Sequence, residues 1–185
     1  MKSRVELLSL FSVLLATSFA AHAAPITWGV VKSPPTLTGS VGVPTSSIFG
    51  WVYQSGITDQ DPLGQGLGIV AELGYGAGHS TVTWTWSPAI YNIEYTGTDP
   101  VSDEYVGSIT PTGVGTYYYG YRFSSDGGPF VYVDLDGPIY LGPIAPNPGV
   151  LTVVPAPVSA PTASLLLASA LGLLGVMRWT ITYRD

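Results

Sequence analysis

Gly-Thr-Tyr-Tyr-Tyr-Gly-Tyr-Arg-Phe, residues 115–123, is the stretch that decides the fold. Its aromatic residues recur at every second position, the spacing that puts side chains on one face of a β-strand. A glycine-rich turn follows at residues 124–129, and residues 130–134 (Phe-Val-Tyr-Val-Asp) again have strand character. The pattern predicts a β-hairpin. The face expected to enter the core consists of Tyr117, Tyr119, Tyr121 and Phe123.

The region before this hairpin repeats the pattern of short apolar or aromatic runs separated by turns. Strands are predicted at residues 36–43, 48–53, 67–75, 81–86, 90–95 and 104–109. No amphipathic helical pattern precedes Thr162. About eight short strands at this spacing predict a mainly β chain folded as an antiparallel β-sandwich, with a β-barrel as the alternative.

Composition narrows the classes of function. The 185-residue chain contains 23 glycines, 16 prolines and no cysteine, and 12% of its residues are aromatic. Between residues 24 and 153 two basic residues, Lys32 and Arg122, face ten acidic ones, a net charge of −8. This balance disfavours binding to nucleic acid, which needs basic residues against the phosphates. Without disulfides, the hydrophobic core has to hold the fold.

The N-terminal residues have the three parts of a secretory signal peptide. Lys2 and Arg4 precede an apolar stretch at residues 7–20, and Ala-His-Ala at residues 21–23 is a cleavage site of the A-x-A type. Residues 1–23 are therefore predicted to be removed on export, with an uncleaved membrane anchor as the alternative. The β-sandwich domain is then expected at residues 24–145.

The C-terminal residues predict attachment to a membrane. Residues 146–161 are proline-rich and are expected to form a linker, and residues 162–185 a transmembrane helix with a short cytoplasmic tail. The apolar run of residues 160–179 would measure about 30 Å as a helix, enough to cross the hydrocarbon layer. Arg178 at its end places the C-terminus in the cytoplasm and the β-domain outside. The alternative is a helix buried in a protein core.

The motif Val154-Pro155-Ala156-Pro157, the apolar run and the basic end together resemble the PEP-CTERM sorting signal of Gram-negative bacteria. In this sequence Ala156 stands where the family usually has glutamate, and only Arg178 and Arg184 supply the basic end. The resemblance implies an exported precursor held in the inner membrane and cut near the motif by exosortase, a membrane protease. It also implies a destination in the cell envelope or outside the cell, often in association with exopolysaccharide.

A second resemblance concerns the β-domain. Residues 113–119 (Gly-Val-Gly-Thr-Tyr-Tyr-Tyr) resemble the approach to the penultimate strand of immunoglobulin-like (Ig-like) sandwiches, where a tyrosine bonds back to the backbone. Several tyrosines compete for that role here. Pieces of residues 52–137, among them Trp-Thr-Trp at 84–86 and Asp-Leu-Asp-Gly at 134–137, also resemble a domain that recurs in large bacterial exported proteins. Both resemblances imply an Ig-like accessory module.

Acidic pairs are the main candidates for chemistry. The pairs Asp103 with Glu104 and Asp134 with Asp136 could serve a glycoside hydrolase, although solvated surface acid is the favoured interpretation. His79 has no evident partner for nucleophilic catalysis. Calcium is a minority alternative, because carboxylates supply the oxygen ligands that it prefers. Its predicted ligands are Asp59, Asp61, Asp134 and Asp136.

Trp84 and Trp86 share one face of the predicted fourth strand. They could stack on sugar rings, although a place in the core is the favoured interpretation. We therefore expect an exported, envelope-associated structural or accessory protein rather than an enzyme. A polysaccharide-binding module is the alternative, and a glycoside hydrolase is the least favoured hypothesis. No cofactor is predicted apart from the calcium alternative.

Overall fold

The structure is a computed structural model that describes residues 25–60, 64–97, 99–137 and 139–158. These residues are mainly β, as predicted, with a single turn of 3₁₀ helix at Thr81–Thr83. The predicted signal peptide (1–23) and transmembrane helix (162–185) lie outside the described residues. The ten strands are β1 (Trp28–Ser33), β2 (Thr36–Ser40), β3 (Ile48–Tyr53), β4 (Ile69–Gly76), β5 (Thr85–Pro88), β6 (Ile90–Tyr91), β7 (Asp103–Gly107), β8 (Gly115–Ser125), β9 (Val131–Val133) and β10 (Gly149–Val154).

The strands form two sheets. The four-stranded sheet has the order β1-β3-β7-β6, and the six-stranded sheet has the order β2-β10-β8-β4-β5, with β9 also paired to β8. All pairs are antiparallel except β2 and β10, which run parallel. The predicted hairpin is confirmed, because β8 and β9 are antiparallel neighbours.

Both sheets contribute to one hydrophobic core. The alternation predicted for β8 is confirmed, since Tyr119, Tyr121 and Phe123 have no exposed surface and Tyr117 is half-buried at the rim. Tyr121 reaches across from β8 and donates a hydrogen bond of 2.6 Å to the carbonyl of Ile48 on β3. A phenol this deep needs such an acceptor, because an unpaired buried hydroxyl is costly.

Gly50 makes this close approach of the two sheets possible. A Cβ atom built at Gly50 would lie 2.6 Å from the ring of Tyr121, well inside contact distance. Phe123 stacks on Tyr121 with 5.5 Å between ring centroids and meets Tyr105 of β7 edge-on at 5.8 Å. The aromatic residues of β8 therefore pack the six-stranded sheet against the four-stranded sheet.

Several predicted boundaries are wrong; the strand predicted at 90–95, for example, ends at Tyr91. Residues 149–154 were expected in the linker, but they form β10, which lies between β2 and β8 with Gly149, Leu151 and Val153 buried. Alternating burial and hydrogen bonding on both sides make this segment part of the sheet, so the described linker begins only after Val154. The predicted strand at 81–86 starts instead at Thr85, because its pairing with β4 begins opposite Tyr75 and the preceding residues make the connection.

Candidate functional site

The residues that resemble a sorting motif lie where the chain leaves the six-stranded sheet. Val154 is the last residue of β10, and its carbonyl accepts the N–H of Val41 at 3.1 Å. Pro155 and Pro157 follow, and proline cannot donate to a strand ladder, which gives the sheet a physical reason to end here. Residues 155–158 are exposed and belong to no strand. Among the described residues, no helix is long and apolar enough to cross a membrane.

The two tryptophans predicted to contact sugar lie on the outer face of the six-stranded sheet. Trp84 is only 6% exposed, and its indole N–H donates to the carbonyl of Gly78 at 2.7 Å. Its ring covers Gly76, where any Cβ atom would overlap it. The favoured interpretation of a buried Trp84 is therefore confirmed, and the alternative of a sugar contact has no free ring face to use. Trp86 is half-buried beside it, with 5.6 Å between the two ring centroids.

Arg122 organises the remainder of this outer face. Its guanidinium lies 4.4 Å from the ring centroid of Trp86 and 4.2 Å from that of Phe130, so it is held between two aromatic rings. It also forms a salt bridge with Glu72 on the neighbouring strand. Tyr132 extends the cluster, 5.7 Å from Trp86 between centroids. We call these five residues the outer aromatic cluster; cation–π contacts and an ion pair give it a fixed geometry.

Two of the four predicted calcium ligands, Asp134 and Asp136, lie close together, and both accept hydrogen bonds from Asn147. Asp134 is fully buried, and its carboxylate accepts the backbone N–H groups of Asn147 at 2.7 Å and of Asp136 at 3.0 Å. Asp136 in turn accepts the side-chain amide of Asn147 at 2.6 Å. These bonds close the connection between β9 and β10, so both carboxylates already serve the fold.

The other two predicted calcium ligands lie in the connection between β3 and β4. Asp59 accepts hydrogen bonds from the Gln60 side chain at 3.1 Å and from the Gly56 N–H at 2.7 Å, and the hydrogen bond from Gln60 is the main cause that lowers the pKa of Asp59. Asp61 lies outside the described residues. Within the described part of the chain, no three carboxylate or imidazole groups gather around one point as a metal site requires.

The pair Asp103 and Glu104 is split between the two faces of β7, as successive strand residues must be. Asp103 turns inward and accepts the N–H of Gly66 at 2.8 Å, while Glu104 lies on the other face and accepts the Trp51 indole N–H at 2.6 Å and the Asn92 amide at 2.5 Å. The two carboxylates therefore do not face one cleft. Both carboxylates are buried, so the favoured interpretation of solvated surface acid is wrong for this pair. Burial raises the pKa of Asp103 to about 6, although the hydrogen bond from Gly66 opposes this shift.

Burial also raises the pKa of the core tyrosines. The pKa of Tyr119 rises to about 12 and that of Tyr121 rises further, both because the charged phenolate would lose its hydration. Each hydroxyl instead donates to a backbone carbonyl, Tyr119 to Pro34 at 2.5 Å and Tyr121 to Ile48. These tyrosines are structural groups that stay protonated at physiological pH.

Sequence reasoning missed the residues that organise the outer face. Arg122 and Phe130 were read only as parts of the hairpin, and Asn147 was placed in the linker. The one available signal was that Arg122 alternates with the inward aromatic residues of β8, which puts it on the opposite face. His79 also lies against an aromatic ring, with 4.4 Å between its centroid and that of Tyr118.

Neither comparison with known proteins assigns this chain to a family. No protein-family model matches the chain, and no curated protein matches it.

Proposed function

We propose that this protein is an exported, envelope-associated structural or accessory protein, delivered by a PEP-CTERM-like sorting signal and processed by an exosortase-type membrane protease. The observation that carries the proposal is the position of the motif. Residues 155–158 are exposed immediately after the last strand, and in the sequence an apolar run of membrane-spanning length follows at once. A protease can reach such a segment without unfolding the domain, because a cut there breaks no strand pairing.

We further propose that the domain is an Ig-like β-sandwich. The order β1-β3-β7-β6 corresponds to the A-B-E-D sheet of that architecture, and β2-β10-β8-β4-β5 corresponds to A′-G-F-C-C′. Tyr117 supports the same proposal, because its hydroxyl donates at 3.1 Å to the carbonyl of Gly113, four residues upstream at the start of the F-like strand. Among the tyrosines that compete for this role, we propose Tyr117. The strand β9 is an insertion between the F-like and G-like strands.

The hydrogen bonds and positions of the carboxylates support an accessory role rather than glycoside hydrolysis. A glycosidase needs two carboxyl groups on either side of one bond. Here Asp134 and Asp136 are bonded to Asn147, and Asp103 and Glu104 lie on opposite faces of β7. Each of these groups has a partner that explains its presence in the fold.

The proposal is tested by following the size of the protein in cells with and without exosortase. The full chain, detected with antibodies against the β-domain, is expected as a shortened product in the wild-type host and as a longer membrane-held precursor in the exosortase deletion. The double variant Pro155→Ser and Pro157→Ser is expected to accumulate the precursor in the wild-type host as well.

Val158→Ser is the matched control, because Val158 is 95% exposed and adjoins the motif without belonging to it. This variant should be processed like the wild type. One band of identical size in both hosts and for all variants would show that the motif is not a processing signal.

We propose polysaccharide binding through Trp86 as a second candidate function, favoured by the half-exposed outer aromatic cluster. Trp86 covers Gly74 with its ring, so its exposed part, together with Phe130 and Tyr132, would contact the sugar. The Arg122 guanidinium beside them could donate hydrogen bonds to the sugar hydroxyls. In affinity electrophoresis through envelope polysaccharide, retardation should be lost in Trp86→Ala and kept in Trp28→Ala, a half-buried tryptophan of the other sheet. Equal retardation of both variants would exclude the cluster as the binding surface.

A further inference from the structure

The end of the domain from which β10 leaves is built from two loops hydrogen-bonded to each other. Gly42 donates to the carbonyl of Pro111 at 2.8 Å, and Thr45 donates to that of Ile109 at 2.9 Å. Together with the end of β10 they form what we call the exit end, residues 41–47, 108–114 and 154–158. Its apolar side chains that project into solvent include Val43 (47% exposed), Val114 (59%), Val154 (41%) and Val158 (95%).

The exit end is uncharged, whereas the opposite end is acidic. Residues 33–53, 105–121 and 137–158 contain no Asp, Glu, Lys or Arg. The opposite end is formed by the connections that follow β3, β6 and β8, since Ile69 pairs with Ser125 and Val52 with Asp103 there. The acidic residues in those connections include Asp59, Glu94, Asp99 and Asp126. The acidic side chains are therefore separated from the exit end along the strand direction.

The length of the chain beyond β10 brings the exit end close to the apolar run. Only residues 155–159 separate Val154 from Ala160, where the run begins. Fully extended, five residues span at most about 17 Å. The headgroup layer of one leaflet occupies about 5–8 Å of that distance. If the apolar run lies in a bilayer, the exit end is therefore held within about 10 Å of the lipid headgroups.

We propose that, in the anchored precursor, the exit end rests on the membrane surface with Val43 and Val114 in contact with the lipid. The inference rests on the proposed function, because it requires the tail to be in the membrane. The acidic end also exposes apolar side chains, Leu67 among them, so the short connection and the charge decide the orientation. An uncharged surface approaches anionic headgroups without the repulsion that the acidic end would meet, and the valines held there gain by entering the interfacial layer. The acidic end then points away from the membrane.

The chain lacks cysteine, so single labelling sites can be introduced cleanly. The test uses the full-length precursor in vesicles of phosphatidylethanolamine and phosphatidylglycerol, with Val43→Cys, Val114→Cys or Leu67→Cys carrying a small fluorophore. Leu67 is the matched control, because it is an apolar residue that is 88% exposed at the acidic end. Nitroxide-labelled lipids should quench the fluorophore severalfold more strongly at positions 43 and 114 than at position 67.

The outcomes separate the two proposals. Protein that floats with the vesicles but shows equal quenching at all three positions would overturn the orientation and leave the anchored tail standing. Shielding at positions 43 and 114 that increases with protein density and shows no quenching by lipid would mean that a second copy covers this end, which also overturns it. Protein that does not float with the vesicles would overturn both the anchored tail and the orientation.

Discussion

The two faces of the six-stranded sheet both carry aromatic residues, but they use them differently. On the inner face Tyr119, Tyr121 and Phe123 have no exposed surface, and the two hydroxyls are bonded to backbone carbonyls. On the outer face Trp86 is half-buried and stacks on Arg122, whose charge remains close to water. The same β8 strand supplies both patterns by alternation. We therefore expect burial of the whole side chain, rather than residue class, to decide which aromatic residues determine stability.

The largest expected effect comes from removing the ring that joins the two sheets. Tyr121→Ala should lower the free energy of unfolding by about 4 kcal/mol, because it leaves a cavity in the centre of the core. Urea unfolding monitored by tryptophan fluorescence measures this value. Tyr121→Phe is the matched control and should cost about 1 kcal/mol, since it removes only the hydroxyl. A loss in Tyr121→Ala no larger than in Tyr121→Phe would contradict the central place of this ring.

A methyl group at Gly50 tests the same contact from the other sheet. Gly50→Ala should cost about 3 kcal/mol, because its Cβ atom would collide with the ring of Tyr121 inside a closely packed core. The control is Gly42→Ala, at an exposed turn where nothing lies within contact distance. That position has a positive φ of 74°, so a small cost is expected there from the backbone alone. If Gly42→Ala proved the more damaging change, close approach of the sheets would not be what Gly50 provides.

Asp103, the buried carboxyl group on the inner face of β7, should make the free energy of unfolding depend on pH in a defined direction. Burial raises the pKa of Asp103 from 3.8 to about 6, so the folded state retains a proton that the unfolded state has released between these values. The contribution of Asp103 to stability therefore falls as the pH rises from about 4 to above 6, by about 2 kcal/mol. Unfolding of the wild type and of Asp103→Asn should be compared at both ends of this range. The asparagine variant should lack this loss; identical pH dependence in the two proteins would place the titration elsewhere.

The smallest expected effect is on the outer face. Trp86→Ala should cost about 1 kcal/mol, because the side chain is only half-buried and its cation–π contact with Arg122 lies near solvent. Thermal unfolding of the Trp86→Ala and Tyr121→Ala variants checks whether the first loses less stability than the second. A cost for Trp86→Ala equal to that for Tyr121→Ala would remove the distinction between the two faces.

The sequence predicted those parts of the fold that depend on local alternation. The hairpin of β8 and β9 and the strand β3 follow directly from aromatic and apolar residues at a spacing of two. The strand β10 was missed because its valines stand among prolines that suggest a linker, and its role depends on pairing with β2, over a hundred residues earlier in the sequence. Long-range pairing of this kind leaves no local mark in a single sequence.

The candidate site shows the same difference between features that depend on local sequence and features that depend on long-range contacts. The motif at residues 154–157 could be proposed from its residues alone, and its role as a sorting signal stays a prediction; the structure adds that residues 155–158 are exposed after the strand ends. The outer aromatic cluster could not be proposed in this way, because it combines Glu72, Trp86, Arg122, Phe130 and Tyr132 from separate strands and one connection.

The most direct test is the intact mass of the protein recovered from separated cell fractions. We predict a mature form in the envelope or outside the cell that begins after Ala23 and ends near residues 154–157, with the β-domain complete through β10. An unprocessed chain of 185 residues dissolved in the cytoplasm would contradict export, anchoring and processing together.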